Sequence, residues 1–274
     1  MGLDAHVFCN CLKENKTSAP PVCRKLLYIC NDGYLDMQYP DDSTEPEMHD
    51  LWEALNLWAK DCCTHPFLYL CNEHVGNWSS VRALQQAVCK NADKYPALAL
   101  IWPSGNGGKV DVETARLSLM DLELFCHSLS EQTELFLVDA NTGDAISSYI
   151  ESYDSVISWD GRTGANTGFD HNGLFVIDSK TGKEYFRSVR FIQERLPDEE
   201  AVSPDGNVFT IHPSLLIDME SRHKYRVDFT LGGENSTEFK IISRALSKND
   251  FYSIEPLKKL FAASIEAGNP IYWC

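Results

Sequence analysis

The hydrophobic period of this chain changes twice, and that limits the architectures open to it. Before residue 129 the strongest apolar patterns repeat every three to four residues. From 129 to 250 they alternate, and from 251 to 274 the helical period returns. Hairpins set between two helical segments predict an α+β fold, not a βαβ series. The expected architecture has helices and short strands in the first half, an antiparallel β-hairpin insert, and a C-terminal helix that returns to the first part. In domain terms, 1–128 and 251–274 make an α+β core domain, and 129–250 a mainly antiparallel β insert.

The hairpin segment carries an internal echo. LFLVDANTGDAISS at 135–148 and LFVIDSKTGKEYFR at 174–187 each give an apolar run, an Asp, a Thr-Gly and a polar return strand. The glycine supplies the positive φ that a tight turn needs. Two copies fall short of the roughly four blades a propeller requires. LGGENSTEF at 231–239 predicts a third hairpin between KYRVDF and KIISRAL. Asp139, Asn141 and Asp144 resemble a calcium loop, but the stretch lacks the acidic repeat and the closing Glu of that site, so it reads as a turn. TGANTGFDHNG at 163–173, preceded by Trp159-Asp160, reads as a surface loop of a kind that binds ligands.

Outside this segment, DAHVFCNCL predicts a short strand and KLLYICNDGYLDMQY a hairpin turning at Asn31-Asp32-Gly33. Met48, Leu51, Trp52, Leu55 and Trp58 fall on one helical face, with both tryptophans expected in the core. A second helix, capped by Asn77 or Ser79, buries Val81, Leu84 and Val88. A third starts near Asp111 or Thr114 and is expected to bury Leu117, Met120 and Leu124. PALALIW predicts an apolar strand. SGNGGK is a turn: Lys109 is followed by Val110, where a phosphate-binding loop needs Ser or Thr.

Ten cysteines are present, nine of them at or before residue 126. No Lys or Arg precedes Lys13 and no long apolar core follows, so no secretory leader is expected and the location is expected to be cytoplasmic. No apolar run reaches the roughly 18 residues that cross a bilayer. In a reducing compartment thiols serve as small core residues or as metal ligands. Two donor pairs stand one residue apart, Cys9 with Cys11 and Cys63 with His65. One intervening residue serves if both pairs sit on tight turns; on an extended strand, residues two apart share a face, which would also aim both donors at one ion. The expected ligand set for a structural zinc is Cys9, Cys11, Cys63 and His65. Cys62 competes with Cys63, and Cys71 and His74 are spares. An enzymatic alternative uses Cys63 or Cys71 as nucleophile, His74 as base and Glu73 to orient it. No GxSxG or HExxH motif supports that alternative.

The net charge is −16. It argues against nucleic acid and anionic membranes as partners, and favours steering toward a basic protein. Candidate docking acids are Asp41, Asp42, Glu45, Glu47 and Asp50, and separately Asp198, Glu199 and Glu200.

The two ends share further motifs. MGLDA leads into the Cys-x-Cys pair; Cys63-Thr64-His65, His74-Val75-Gly76-Asn77 and Tyr95-Pro96 follow in order; Ala263-Ser264 runs on to Gly268-Asn269-Pro270-Ile271. In these features the chain resembles a family of uncharacterised bacterial cytoplasmic proteins, over about 1–128 and 251–274. The resemblance itself implies little about function; by analogy with small, acidic, soluble bacterial proteins of this sort, the chain is read as an immunity protein of a toxin system. The expected function is therefore a non-catalytic, protein-binding inhibitor. The alternative is an enzyme or small-ligand-binding protein with a Cys/His or zinc site in the first half.

Overall fold

The computed structural model describes residues 2–30, 33–39, 44–160, 163–202, 206–233 and 235–274. In chain order come β1 (Gly2–Phe8), β2 (Leu27–Ile29), β3 (Leu35–Met37), α1 (Glu45–Asp61), β4 (Tyr69–Asn77), α2 (Trp78–Cys89), α3 (Pro96–Leu100), β5 (Lys109–Val110) and α4 (Val112–Ser128). A run of strands follows: β6 (Thr133–Asp139), β7 (Ala145–Ser148), β8 (Val156–Asp160), β9 (Ala165–Asp170), β10 (Gly173–Asp178) and β11 (Glu184–Ser188). It continues with β12 (Arg190–Arg195), β13 (Glu199–Val202), β14 (Val208–Ile211), β15 (Ser214–Asp218), β16 (Lys224–Val227) and β17 (Glu238–Ala245). α5 (Ile254–Ala267) and β18 (Ile271–Trp273) close the chain. The class is α+β. The chain divides into two compact units, 1–128 with 251–274, and 129–250.

The first unit is built on an antiparallel sheet of order β4-β1-β18-β5. Along β1, Leu3, Ala5 and Val7 on one face and His6 and Phe8 on the other are buried while Asp4 is exposed, so from Ala5 on the strand is covered on both faces. α2 and α5 pack against it. His6 Nε2 lies 2.6 Å from the Gly33 carbonyl in the β2–β3 connection. Gly33 holds φ +79°, and a Cβ there would collide with Tyr272, so no other residue fits. α5 buries Leu257, Leu260 and Phe261 and ends on Gly268, whose left-handed N–H donates to the Ser264 carbonyl at 2.9 Å. Buried Asn269 then donates to the Phe8 carbonyl at 2.8 Å, and Ile271 enters the sheet opposite Val7. The Gly-Asn-Pro-Ile motif is thus a helix stop, a bridge to the end of β1, and a strand start.

Three expectations for this unit are corrected. PALALIW is not a strand: Pro96 starts α3, and the Ala97 and Leu98 N–H groups donate to the Asp121 carboxylate at 2.8 and 3.1 Å. A short apolar run has no period to separate strand from helix, and an acceptor supplied by α4 decides it. On α4 the expected core stripe of Leu117, Met120 and Leu124 is exposed; Ala115, Ser118, Leu122 and Phe125 are buried instead. Both stripes have helical spacing. The one containing Ala115 and Ser118 faces inward because small side chains let the adjacent α5 approach. On α1, Leu55 and Ala59 are buried but Trp52 is exposed. The turn dipeptide Asn31-Asp32 lies outside the described residues.

The second unit holds a four-stranded sheet, β11-β10-β9-β8, and a six-stranded sheet, β16-β15-β12-β17-β6-β7. Phe169, Leu174, Val176 and Phe186 of the first join Leu137, Phe191, Leu216 and Phe239 of the second in one core. LGGENSTEF does not close a hairpin, because β16 pairs with β15 while β17 runs between β12 and β6. TGANTGFDHNG is not a loop either: Ala165–Asp170 is β9, paired on both sides.

The echo seen in two copies has a third, at 214–227. After Asp139, Asp178 and Asp218 alike, the Asp N–H donates to the carbonyl five residues on, at 2.9 Å in each case. Each Asp Oδ1 accepts the N–H three residues on, from Thr142, Thr181 and Ser221. The residue after that takes positive φ: Gly143 at 78°, Gly182 at 69°, and Arg222 at 61°. At Asp139 these bonds define the turn that the sequence predicts there. At Asp178, N–H and hydroxyl donation by Thr181 and the Tyr185 hydroxyl hold the carboxyl at about 2.

Two predictions follow from these turns. Arg222→Gly removes left-handed strain of about 1–2 kcal/mol against a smaller entropic loss, so the urea midpoint should rise, by about 0.5–1 kcal/mol in stability; Gly182→Ala should lower it. Asp178 has a folded pKa below its unfolded one, so its stabilisation is complete above about pH 4 and lost as pH falls toward about 2. Melting curves of Asp178→Asn should therefore be flatter than wild type across that window.

Candidate metal centre

Four donors converge at one end of the first unit. The Sγ atoms of Cys9, Cys11 and Cys63 and a ring nitrogen of His65 all lie within 4.8 Å of one another. Cys9 Sγ is 3.9 Å from Cys63 Sγ; His65 Nδ1 is 3.5 Å from Cys11 Sγ and 3.9 Å from Cys63 Sγ. Cys9 is buried, and Cys63 and His65 are half-buried.

The local chain explains the convergence. Cys9 leaves β1 just past an irregularity at Val7/Phe8, and its N–H donates to the Leu68 carbonyl at 2.7 Å. The chain then turns back, with Glu14 N–H to Asn10 O at 2.9 Å and Lys16 N–H to Cys11 O at 2.8 Å. Ser18 N–H donates to the Cys62 carbonyl, and Trp58 Nε1 to Ser18 Oγ, so this loop is fastened along the end of α1. Cys63 and His65 sit in the link from α1 to β4. Neither pair lies on a regular strand, so turns aim them, not the pleat.

Next to His65 the backbone is strained. Phe67 and Leu68 take φ of 56° and 64°, although neither is glycine. Such residues persist only where surrounding bonds over-determine them. Here Leu68 N–H donates to His65 O at 2.9 Å while Leu68 O accepts from Cys9.

Cys62 is excluded from the group. It is buried, its Sγ donates to the Ala59 carbonyl at 3.7 Å, and burial pushes its thiol up to about 12. Burial also pushes Cys9 up to about 12 and raises Cys11. In this setting the two thiols hold their protons until a cation displaces them.

The residues of the enzymatic alternative are not brought together. Cys71 and His74 are three positions apart on β4 and so face opposite sides. His74 Nδ1 pairs with Asp4 at 2.7 Å, and Glu73 accepts from Lys259 at 2.9 Å. The acids expected to dock a partner have local roles. Glu47 closes a capping box with Thr44 at the start of α1, and Glu45 shares that first turn. Asp198 lies 2.9 Å from His212, and Glu199 accepts from Arg226 at 2.6 Å. Glu200 follows Glu199 on β13. Asp41 and Asp42 lie outside the described residues.

One pair was not foreseen. His6 Nδ1 lies 3.2 Å from Cys274 Sγ, while its Nε2 faces the Gly33 carbonyl. A carbonyl only accepts, so Nε2 carries the proton and Nδ1 accepts the thiol hydrogen. Burial lowers the His6 pKa and raises that of Cys274, which keeps both neutral. Only the pairing of β1 with β18 makes these residues neighbours. No protein family, no curated protein and no solved structure matches the chain.

Proposed function

We propose that this chain is a non-catalytic binding protein whose cysteine-rich unit is fastened by one structural zinc ion, held by Cys9, Cys11, Cys63 and His65. The spacing of the donors carries the proposal. With Zn–S near 2.3 Å and Zn–N near 2.0–2.1 Å, a tetrahedral site has edges of about 3.8 Å between sulfurs and about 3.6 Å from sulfur to nitrogen. The corresponding separations here are 3.9 Å between Cys9 and Cys63, and 3.5 and 3.9 Å from His65 to Cys11 and Cys63. Four protein donors fill a tetrahedron and leave no open position for substrate, which favours a structural ion over a catalytic one.

The partner we propose is a basic protein, of the kind a toxin would be for an immunity-type inhibitor. The net charge of −16 supports that reading, since it accelerates encounter with a cation and loses effect as salt screens it. Capture with the metal-loaded chain as bait should yield one stoichiometric basic partner that salt releases. Its absence at low and moderate salt would remove the partner half of the proposal and leave the metal half standing.

For the metal half, protein purified without a His-tag should carry one zinc per chain, and Cys63→Ser should lose it while Cys62→Ser keeps it. Cobalt loading should give thiolate charge-transfer absorption. A chelator should lower the melting temperature, by the equivalent of about 3 kcal/mol where free zinc stood at a hundred times its Kd. Zinc below about a tenth of an equivalent in the untagged protein would sink the site.

A further inference from the structure

A cavity of about 240 Å³ opens beside the end of β1 in the first unit. Phe8, Leu12, Ile29, Leu68 and Tyr272 give it apolar walls. Phe8 and Tyr272 set their rings nearly at right angles, 5.9 Å between centroids. Two polar side chains reach it, Lys13 and Asn269. Asn269 is buried and fully engaged: its amide donates to Phe8 O and Asn10 Oδ1, and its Oδ1 accepts from Lys13 Nζ at 2.6 Å.

Lys13 is the informative residue. One of its three donors goes to Asn269, so the ammonium is held at the cavity while two donors remain. No carboxylate pairs with it among the described residues; the adjacent Glu14 pairs with Lys16 at 2.6 Å instead. In a chain with 40 acidic residues against 24 basic ones, a cation tethered beside an apolar cavity with no acid on it among the described residues offers an anion position.

We propose that this cavity binds a small monocarboxylate with an apolar body, the body against Phe8, Leu68 and Tyr272 and the carboxylate on Lys13. Size selects the class. A cavity of about 150 Å³ takes benzene, so this one accommodates a benzene-sized group with a short acid arm. The overall negative charge repels anions at long range. Affinity must therefore come from contact, and a neutral isostere should lose the part that Lys13 supplies. The proposal does not depend on the zinc ion: Cys9 also lines the cavity, but no contact assigned to the ligand uses a thiolate.

The test is calorimetric titration of the full chain, zinc-supplemented and zinc-free, with 3-phenylpropionate and with 3-phenylpropanamide. The acid should bind in either metal state with a sub-millimolar Kd, and the amide at least about tenfold more weakly. Lys13→Gln should bring the acid to about the amide's affinity. Leu12→Trp should fill the cavity and abolish both. Failure of the acid to bind at millimolar concentration in both metal states would overturn the proposal. So would equal binding of acid and amide by wild type, or acid affinity unchanged in Lys13→Gln. Binding that appears only with zinc would overturn the independence from the ion, while zinc content itself is scored separately.

Discussion

The first unit depends on the placement of β1 between β4 and β18. Its backbone is paired on both edges, so neither edge is left as an open template. From Ala5 on its side chains are buried on both faces, which explains an apolar run interrupted by a histidine that needs the Gly33 carbonyl. Everything at the metal centre and the cavity is set by where this strand stops. Phe8 and Cys9 are its last covered residues, and Asn269 fixes that end by accepting Lys13 and donating to Phe8 and Asn10. Removing the Asn269 amide would leave a buried carbonyl unpartnered and release the loop that carries Cys11, Leu12 and Lys13.

How much of this could be read from the sequence differs by type of signal. Patterns with few physical readings transferred well: the Val81, Leu84 and Val88 face stands as read, and of the paired cap candidates Asn77 caps α2 and Asp111 caps α4. Patterns with two solutions did not. α4 offers two stripes of equal period, and only the closeness of α5 selects the smaller residues. PALALIW has no period, and the Asp121 carboxylate that makes it helical is far away in sequence. The third copy of the aspartate turn was hidden because Arg222 stands where the other copies have glycine. Its hydrogen bonds are the same, but the cue that announces such turns is missing.

The four candidate donors were legible as two short pairs, and of the two ways that spacing allows, turns and not a strand aim them. Alternation along a strand would aim Cys9 and Cys11 together. In fact one follows the strand end and the other opens a turn, and the strained Phe67-Leu68 backbone brings the second pair across. The cavity had no sequence signal at all, because its walls come from β1, the following loop, β2 and the start of β18.

The value of an ion here is topological. Cys9 and Cys63 are 54 positions apart, and so are Cys11 and His65. Closing a loop of that length in the unfolded chain costs about 4 kcal/mol on the chain-entropy account of cross-links. A disulfide would close one such loop, and the 3.9 Å between Cys9 and Cys63 sulfurs is nearly twice a bonded distance of about 2.05 Å. A four-donor ion closes the same loop and also fixes a second residue on each side. The second pair so held, Cys11 and His65, lies outside regular helix and strand. An ion at this point would hold the strained link at Phe67 and the loop after β1 in one register.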